Sequence, residues 1–243
     1  MSINDKEFYI FGEPIQTDIG MVRFLTYKEY LANISECSLI SQNVLHIYYQ
    51  YLKSVDKNNK EAIEMINGLK KFKLIELVHS EPVMYQTYMK LFKMLITPNP
   101  GIENPYEQII NNEELFMYHR ELIMDMNLLS EEKVVDNPEI QKFIDMAKET
   151  RKSNEETSFA DIVSAVVTGT NNSFQEVGNM TVYQLYSIYY RMAAIFEYNT
   201  STLFATVSEK VKIESWGKHL DLFKRDDGTI KKDKFHKKFG SML

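Results

Sequence analysis

The chain holds one cysteine, Cys37, in 243 residues. No intrachain disulfide can form, which excludes a disulfide-built secreted scaffold and makes a cytosolic setting the expectation. Glycine (9) and proline (6) are scarce, which disfavours a turn-rich β-sandwich and favours helices. Positive charge is not in excess. The formal net charge is -6, so the molecule as a whole is not an electrostatic binder of nucleic acid. No uncharged apolar run approaches the roughly 18 residues of a membrane span, and no membrane partner is expected. The start, MSINDKEFYIFGEP, lacks a basic stretch leading into an apolar core, so no signal peptide is expected.

Chemistry is missing too. None of the five histidines, His46, His79, His119, His219 and His236, has another four residues away. His119-Arg120-Glu121 fails the H-E-x-x-H pattern because position 123 is Ile. No metal site and no cofactor are expected. RDDGT (225–229) fails as a calcium loop: with Gly228 as the invariant glycine, Phe223 and Lys234 fall where carboxylates are required. Cys37, at a helix end, reads as a small buried hydrophobe rather than a nucleophile. Walker-type, dinucleotide-binding and G-x-S-x-G motifs do not occur. No catalytic residue is expected, and the chain reads as a non-enzyme.

What is present is helix. With 44% hydrophobic and 26% charged residues the composition is globular. The pattern implies a mainly α protein of bundle-like helical parts, with a small β or extended N-terminal element. Residues 1–25 suggest two short strands around the loop GEPIQTDIG. Thr26 and Glu29 form a capping box for a helix to about Cys37, followed by another from Leu39 to Val55. Further helices are expected over 60–78, from Pro82, from Asn112, from Asn137-Pro138 to Lys152, and from Ser158. TPNPGIENP (97–105) places three prolines and a glycine in nine residues. It predicts a division into an N-terminal part (1–96), a linker or hinge (97–111) and a C-terminal part (112–243). KSNEET is a second candidate linker. The lysine-rich KKDKFHKK (231–238) reads as a solvated amphipathic last helix.

The richest stretch is 179–221. Thr181 and Gln184 make a capping box, and Leu185, Tyr189, Met192 and Phe196 form one stripe of a helix to 197. Val182, Tyr186 and Ala193 lie beside it, and Tyr183 and Tyr190 widen the apolar face beyond a single helix seam. Such a helix is either the centre of a core or a surface partly left for a partner. The candidate partner-binding residues are Tyr183, Tyr186, Tyr190 and Trp216, with Arg191 as a hydrogen-bonded anchor, because aromatics and arginine are enriched at binding hot spots.

GEPIQTDIGMVRFLTYKEYL, NEELFMYHRELIMDMNLL, NMTVYQLYSIYYRM and IESWGKHLDLF follow one another in this order. The ordered set resembles tail assembly chaperone-like, or tail morphogenesis, proteins of tailed bacteriophages infecting Gram-positive bacteria. That resemblance implies a non-enzymatic helper in the host bacterial cytoplasm, with a protein partner such as the helical tape-measure protein. Self-association is left open. The chain is longer than the short tail chaperones, which keeps two alternatives: a tail or baseplate component retained in the virion, and a phage regulator binding a host protein.

Overall fold

The computed structural model describes residues 6–56, 58–131, 134–138, 140–146, 158–208 and 211–223. The expected KSNEET linker and the lysine-rich 231–238 segment lie outside them. The fold is mainly helical with one small sheet.

That sheet is built from a hairpin and a distant return. β1 (Ile15–Gln16) pairs antiparallel with β2 (Gly20–Val22), and β2 pairs antiparallel with β3 (Ile96–Pro98). Gly20 is required where β2 meets β3, since a Cβ there would sit 2.2 Å from the Thr97 carbonyl oxygen. The expected strand FYIF is instead a 3-10 helix, Glu7–Phe11. Gly12, at φ +67°, closes it by donating to the Tyr9 carbonyl. Only Tyr9 of this turn is buried, while Phe8 and Phe11 face outward.

Helices then accumulate around one large apolar cluster. They are α1 (Tyr27–Ala32), α2 (Ile34–Ile40), α3 (Val44–Ser54), α4 (Lys60–Gly68), α5 (Leu74–Ser80) and α6 (Pro82–Leu95). After β3 come α7 (Pro105–Asn111) and α8 (Glu113–Met126). The Thr26–Glu29 capping box forms as the sequence predicts, and Arg23 grips Glu29 with two bonds of 2.8 and 2.9 Å. The first helix stops sooner than expected, at Asn33, whose side chain donates to the Glu29 carbonyl at 2.8 Å. The pattern over 60–78 likewise resolves into α4, a 3-10 turn (Leu69–Lys71) and α5.

The segment 97–111, expected as a linker or hinge, is woven into this first body. It carries the end of β3 and all of α7, whose Ile109 and Ile110 are fully buried in the main cluster. Its prolines serve local ends: Pro98 closes an edge strand and Pro105 opens α7 at its first turn. The Asn99 side chain donates to the Thr17 and Asp18 carbonyls, and Tyr106 Oη donates to the Ile96 carbonyl.

Arg120 of α8 is the largest fully buried side chain. Its Nε donates to the Ile40 carbonyl (2.9 Å) and Tyr88 Oη (3.2 Å), and Nη2 donates to the Gln42 carbonyl (3.0 Å). Nη1 pairs with Glu131 at 2.6 Å. The guanidinium therefore ties α2, α6 and α8 together at one point.

A second, smaller cluster lies under α9 (Phe159–Thr170), α10 (Phe174–Asn179) and α11 (Val182–Ala205). Capping boxes start all three, at Ser158–Asp161, Ser173–Glu176 and Thr181–Gln184. Short α10 is additional to the elements expected from sequence. The two clusters meet where Thr26 and Thr181 form an antiparallel bridge and the Tyr27 N–H donates to the Met180 carbonyl at 2.7 Å. Tyr27, from the first half of the chain, is a buried member of the second cluster.

Candidate functional site: the two faces of helix α11

Helix α11 runs for 24 residues, three turns beyond α9's 12 in length if both are laid side by side, or about 36 Å against about 18 Å. It continues past 197, where the sequence reading ended it, through the β-branched and polar YNTST. Within it Thr202 Oγ1 is satisfied by donating to the Tyr198 carbonyl at 2.8 Å, and at the C-cap Thr206 Oγ1 donates to the Leu203 carbonyl at 2.7 Å.

The candidate residues divide between roles. Tyr183 is half-buried and packs edge-on against Tyr9 (5.8 Å between ring centres) and beside Phe223 (6.0 Å). Burial raises its phenol pKa above the ordinary value. Tyr186 packs against the second cluster and lies 6.0 Å from Tyr190, which is 46% exposed. Arg191 is engaged within the chain: Nη1 donates to the Trp216 carbonyl and, at 3.0 Å, to the Lys218 carbonyl. The 211–223 segment is thereby strapped along α11, with the Trp216 ring outward and 51% exposed. Within the strap the Phe223 ring receives the Lys6 ammonium 4.3 Å from its centre. Between strap, 3-10 helix and α11 lies a groove of about 430 Å³ lined by Ile10, Tyr183, Arg191, Met192, His219 and Leu222. Tyr190 and Trp216 are thus the outward members of the set, and Tyr183 and Arg191 hold the fold.

The opposite face bears the stripe. Leu185 is buried, and Tyr189 and Met192 are half-buried against α9. Cover ends at Gly169 in α9's last turn, where a Cβ would stand 1.9 Å from Met192 Cε. Beyond that contact the stripe continues into solvent as Phe196 (62% exposed), Leu203 (69%) and Val207 (81%). Phe196 and Leu203 lie within about 20° of one line along the helix, and Val207 follows two residues past its end. Ile195 and Phe204 flank them, also exposed. Of these, the sequence reading had named Phe196, as part of the stripe. The signal for the rest was present: the same spacing runs on through LFATV.

The groups with potential chemistry sit elsewhere and are muted. Cys37 is buried, which pushes its thiol up to about 11. His119 is buried, and desolvation lowers its pKa below the ordinary 6.5. Its Nδ1 lies 2.8 Å from the Leu115 carbonyl and its Nε2 3.2 Å from Thr17 Oγ1. Among the described residues no group of three His, Cys, Asp or Glu side chains is placed to hold a metal ion, and no helix is long and apolar enough to cross a membrane.

Two family models match the chain: YomV N-terminal domain over residues 3–136 and YomV second domain over 150–221. The chain belongs to the YomV family. It is 35% identical over 222 residues to the SPbeta prophage-derived uncharacterized protein YomV of Bacillus subtilis strain 168, covering 91% of each chain. No solved structure matches. A prophage-derived relative agrees with the phage setting suggested by the ordered motifs. The YomV N-terminal domain contains the sheet, α1–α8 and nearly all of the main cluster, whereas the YomV second domain contains α9–α11 and the strap as far as residue 221.

Proposed function

We propose that the chain is a non-enzymatic phage protein that chaperones a helical client, such as the tape-measure protein, during tail morphogenesis. The observation that carries this reading is the exposed run Phe196, Leu203 and Val207 beyond the end of α9. A helix that presents apolar side chains two turns apart on one face, as Phe196 and Leu203 are, is suited to cover the apolar stripe of another helix. A long helical client exposes such a stripe until it is assembled, and masking it prevents aggregation. Support also comes from the ordered resemblance to tail proteins and from the prophage-derived relative. The muted state of Cys37 and His119 fits a role without catalysis.

The test is co-expression with the tape-measure protein of a phage that carries this chain, followed by pull-down and a solubility assay. Co-purification and improved client solubility are expected, with both lost in Phe196→Glu/Leu203→Glu. If the client neither co-purifies nor gains solubility, the reading fails. If the chain is instead found in stoichiometric amounts in purified particles, it is a structural tail component.

A further inference from the structure

We infer that, without a client, two copies of this chain pair antiparallel through the outer half of α11, each covering the other's Phe196–Val207 stripe. The inference rests on reading this face as a recognition surface and names what occupies it at rest.

Three observations favour a second copy. First, area: on one side of the helix the exposed parts of Phe196, Leu203, Phe204 and Val207 amount to roughly 400–500 Å². Two such faces bury about 800–1,000 Å² together, the low end of the interface range, which suits a weak and reversible pair. Second, charge: between Met192 and Ser208 the only charged residue is Glu197, and it lies about 100° around the helix from Phe196. A two-fold pair sets the same patch against itself, residue i meeting j and j meeting i, so a stripe without charges meets no like-charge repulsion. Third, continuity: the stripe prolongs the seam that Leu185, Tyr189 and Met192 already make with α9. The neighbour's helix would continue the packing where α9 stops.

Orientation follows from the same geometry. Among the described residues α9, α1 and the 3-10 helix pack on α11, and its outer half, about 18 Å long, carries the exposed stripe. A parallel pair would bring both bodies to the same end. An antiparallel pair sets them at opposite ends and aligns the helix dipoles favourably. The two-fold axis then passes near Thr200, an exposed residue midway along the free stripe.

Sedimentation equilibrium of the full chain tests the pairing. The mass is expected to rise with concentration from the 28.5 kDa of one chain to twice that. Phe196→Glu/Leu203→Glu is expected to stay at one chain's mass with an unchanged helical circular dichroism spectrum. Orientation is read by cysteine oxidation in a Cys37→Ala background. Thr200→Cys is expected to give a covalent dimer, and Val207→Cys not to do so. A single-chain mass up to about 100 μM, or a dimer that survives the double substitution, overturns the pairing. Efficient crosslinking at Val207→Cys overturns the antiparallel arrangement. Failure here is distinguishable from failure of the chaperone reading: a permanent monomer that still pulls down its client sinks only the pairing. A dimer with no client sinks only the chaperone.

Discussion

Replacing Arg120 by methionine keeps the length of the side chain and removes its donors. The Ile40 carbonyl, the Gln42 carbonyl and Tyr88 Oη each lose the partner described above, and Arg120 itself is 1% exposed. A buried acceptor left unpaired costs about 1–3 kcal/mol, and breaking a buried charged cluster by removing one member costs about 3–5 kcal/mol. The loss expected for Arg120→Met is therefore about 3–5 kcal/mol, or on the order of 10 °C in Tm for a chain of this size. Glu131 is 39% exposed, so water partly screens the pair, but its charge is the counter-ion of a buried guanidinium. Glu131→Gln keeps an acceptor oxygen for Nη1 and should cost about 1–3 kcal/mol, less than Arg120→Met. Urea unfolding followed by circular dichroism measures both. If Arg120→Met costs under 1 kcal/mol, or Glu131→Gln costs as much as Arg120→Met, the account of Arg120 as a hydrogen-bonding tie is wrong.

Gly169→Ala meets only the flexible end of Met192, which can swing aside, and gains about 1 kcal/mol of helix propensity. The net change is therefore expected within about 1 kcal/mol, as thermal unfolding would check. Acidification should weaken the fold through His119. Below its ordinary pKa of 6.5 the unfolded chain takes up a proton that the buried ring resists, so stability present above 6.5 falls as pH drops. His119→Gln should flatten this part of the stability–pH curve between pH 7 and 5. Cys37, with its thiol near 11, should resist a thiol reagent at pH 7.5 in the native chain and react once urea unfolds it. Thr181→Ala should cost about 1 kcal/mol by deleting the α11 cap, measured by the same unfolding assay.

Local signals carried well from sequence to structure. The Thr26–Glu29 and Thr181–Gln184 capping boxes need only four residues each, and both form. Asn112 caps α8, Ser158 caps α9 and Pro82 opens α6 for the same reason. Non-local choices were not legible. Nothing within TPNPGIENP reveals that Ile96–Pro98 will find β2, so its prolines signalled a hinge when they mark the ends of packed elements. FYIF has strand-like composition, but the left-handed Gly12 turns it into a 3-10 helix. The candidate site shows the same division. The periodicity of α11 was readable, but which part is exposed depends on where α9 stops, a fact of tertiary packing. Arg191 has the chemistry of a partner anchor, but in the fold it donates to carbonyls of its own chain.

The Thr26–Thr181 bridge bears on how such a protein is inherited. On the sequence the two family domains part between residues 136 and 150, a natural place for recombination. In the fold they are stitched elsewhere: two helix caps face each other across the bridge, Tyr27 lies in the second cluster, and Tyr183 packs on the first. A hybrid joining the first domain of one relative to the second of another would keep an intact junction in the gene and inherit a mismatched seam at Thr26 and Thr181. The two domains should therefore pass between phages as a pair.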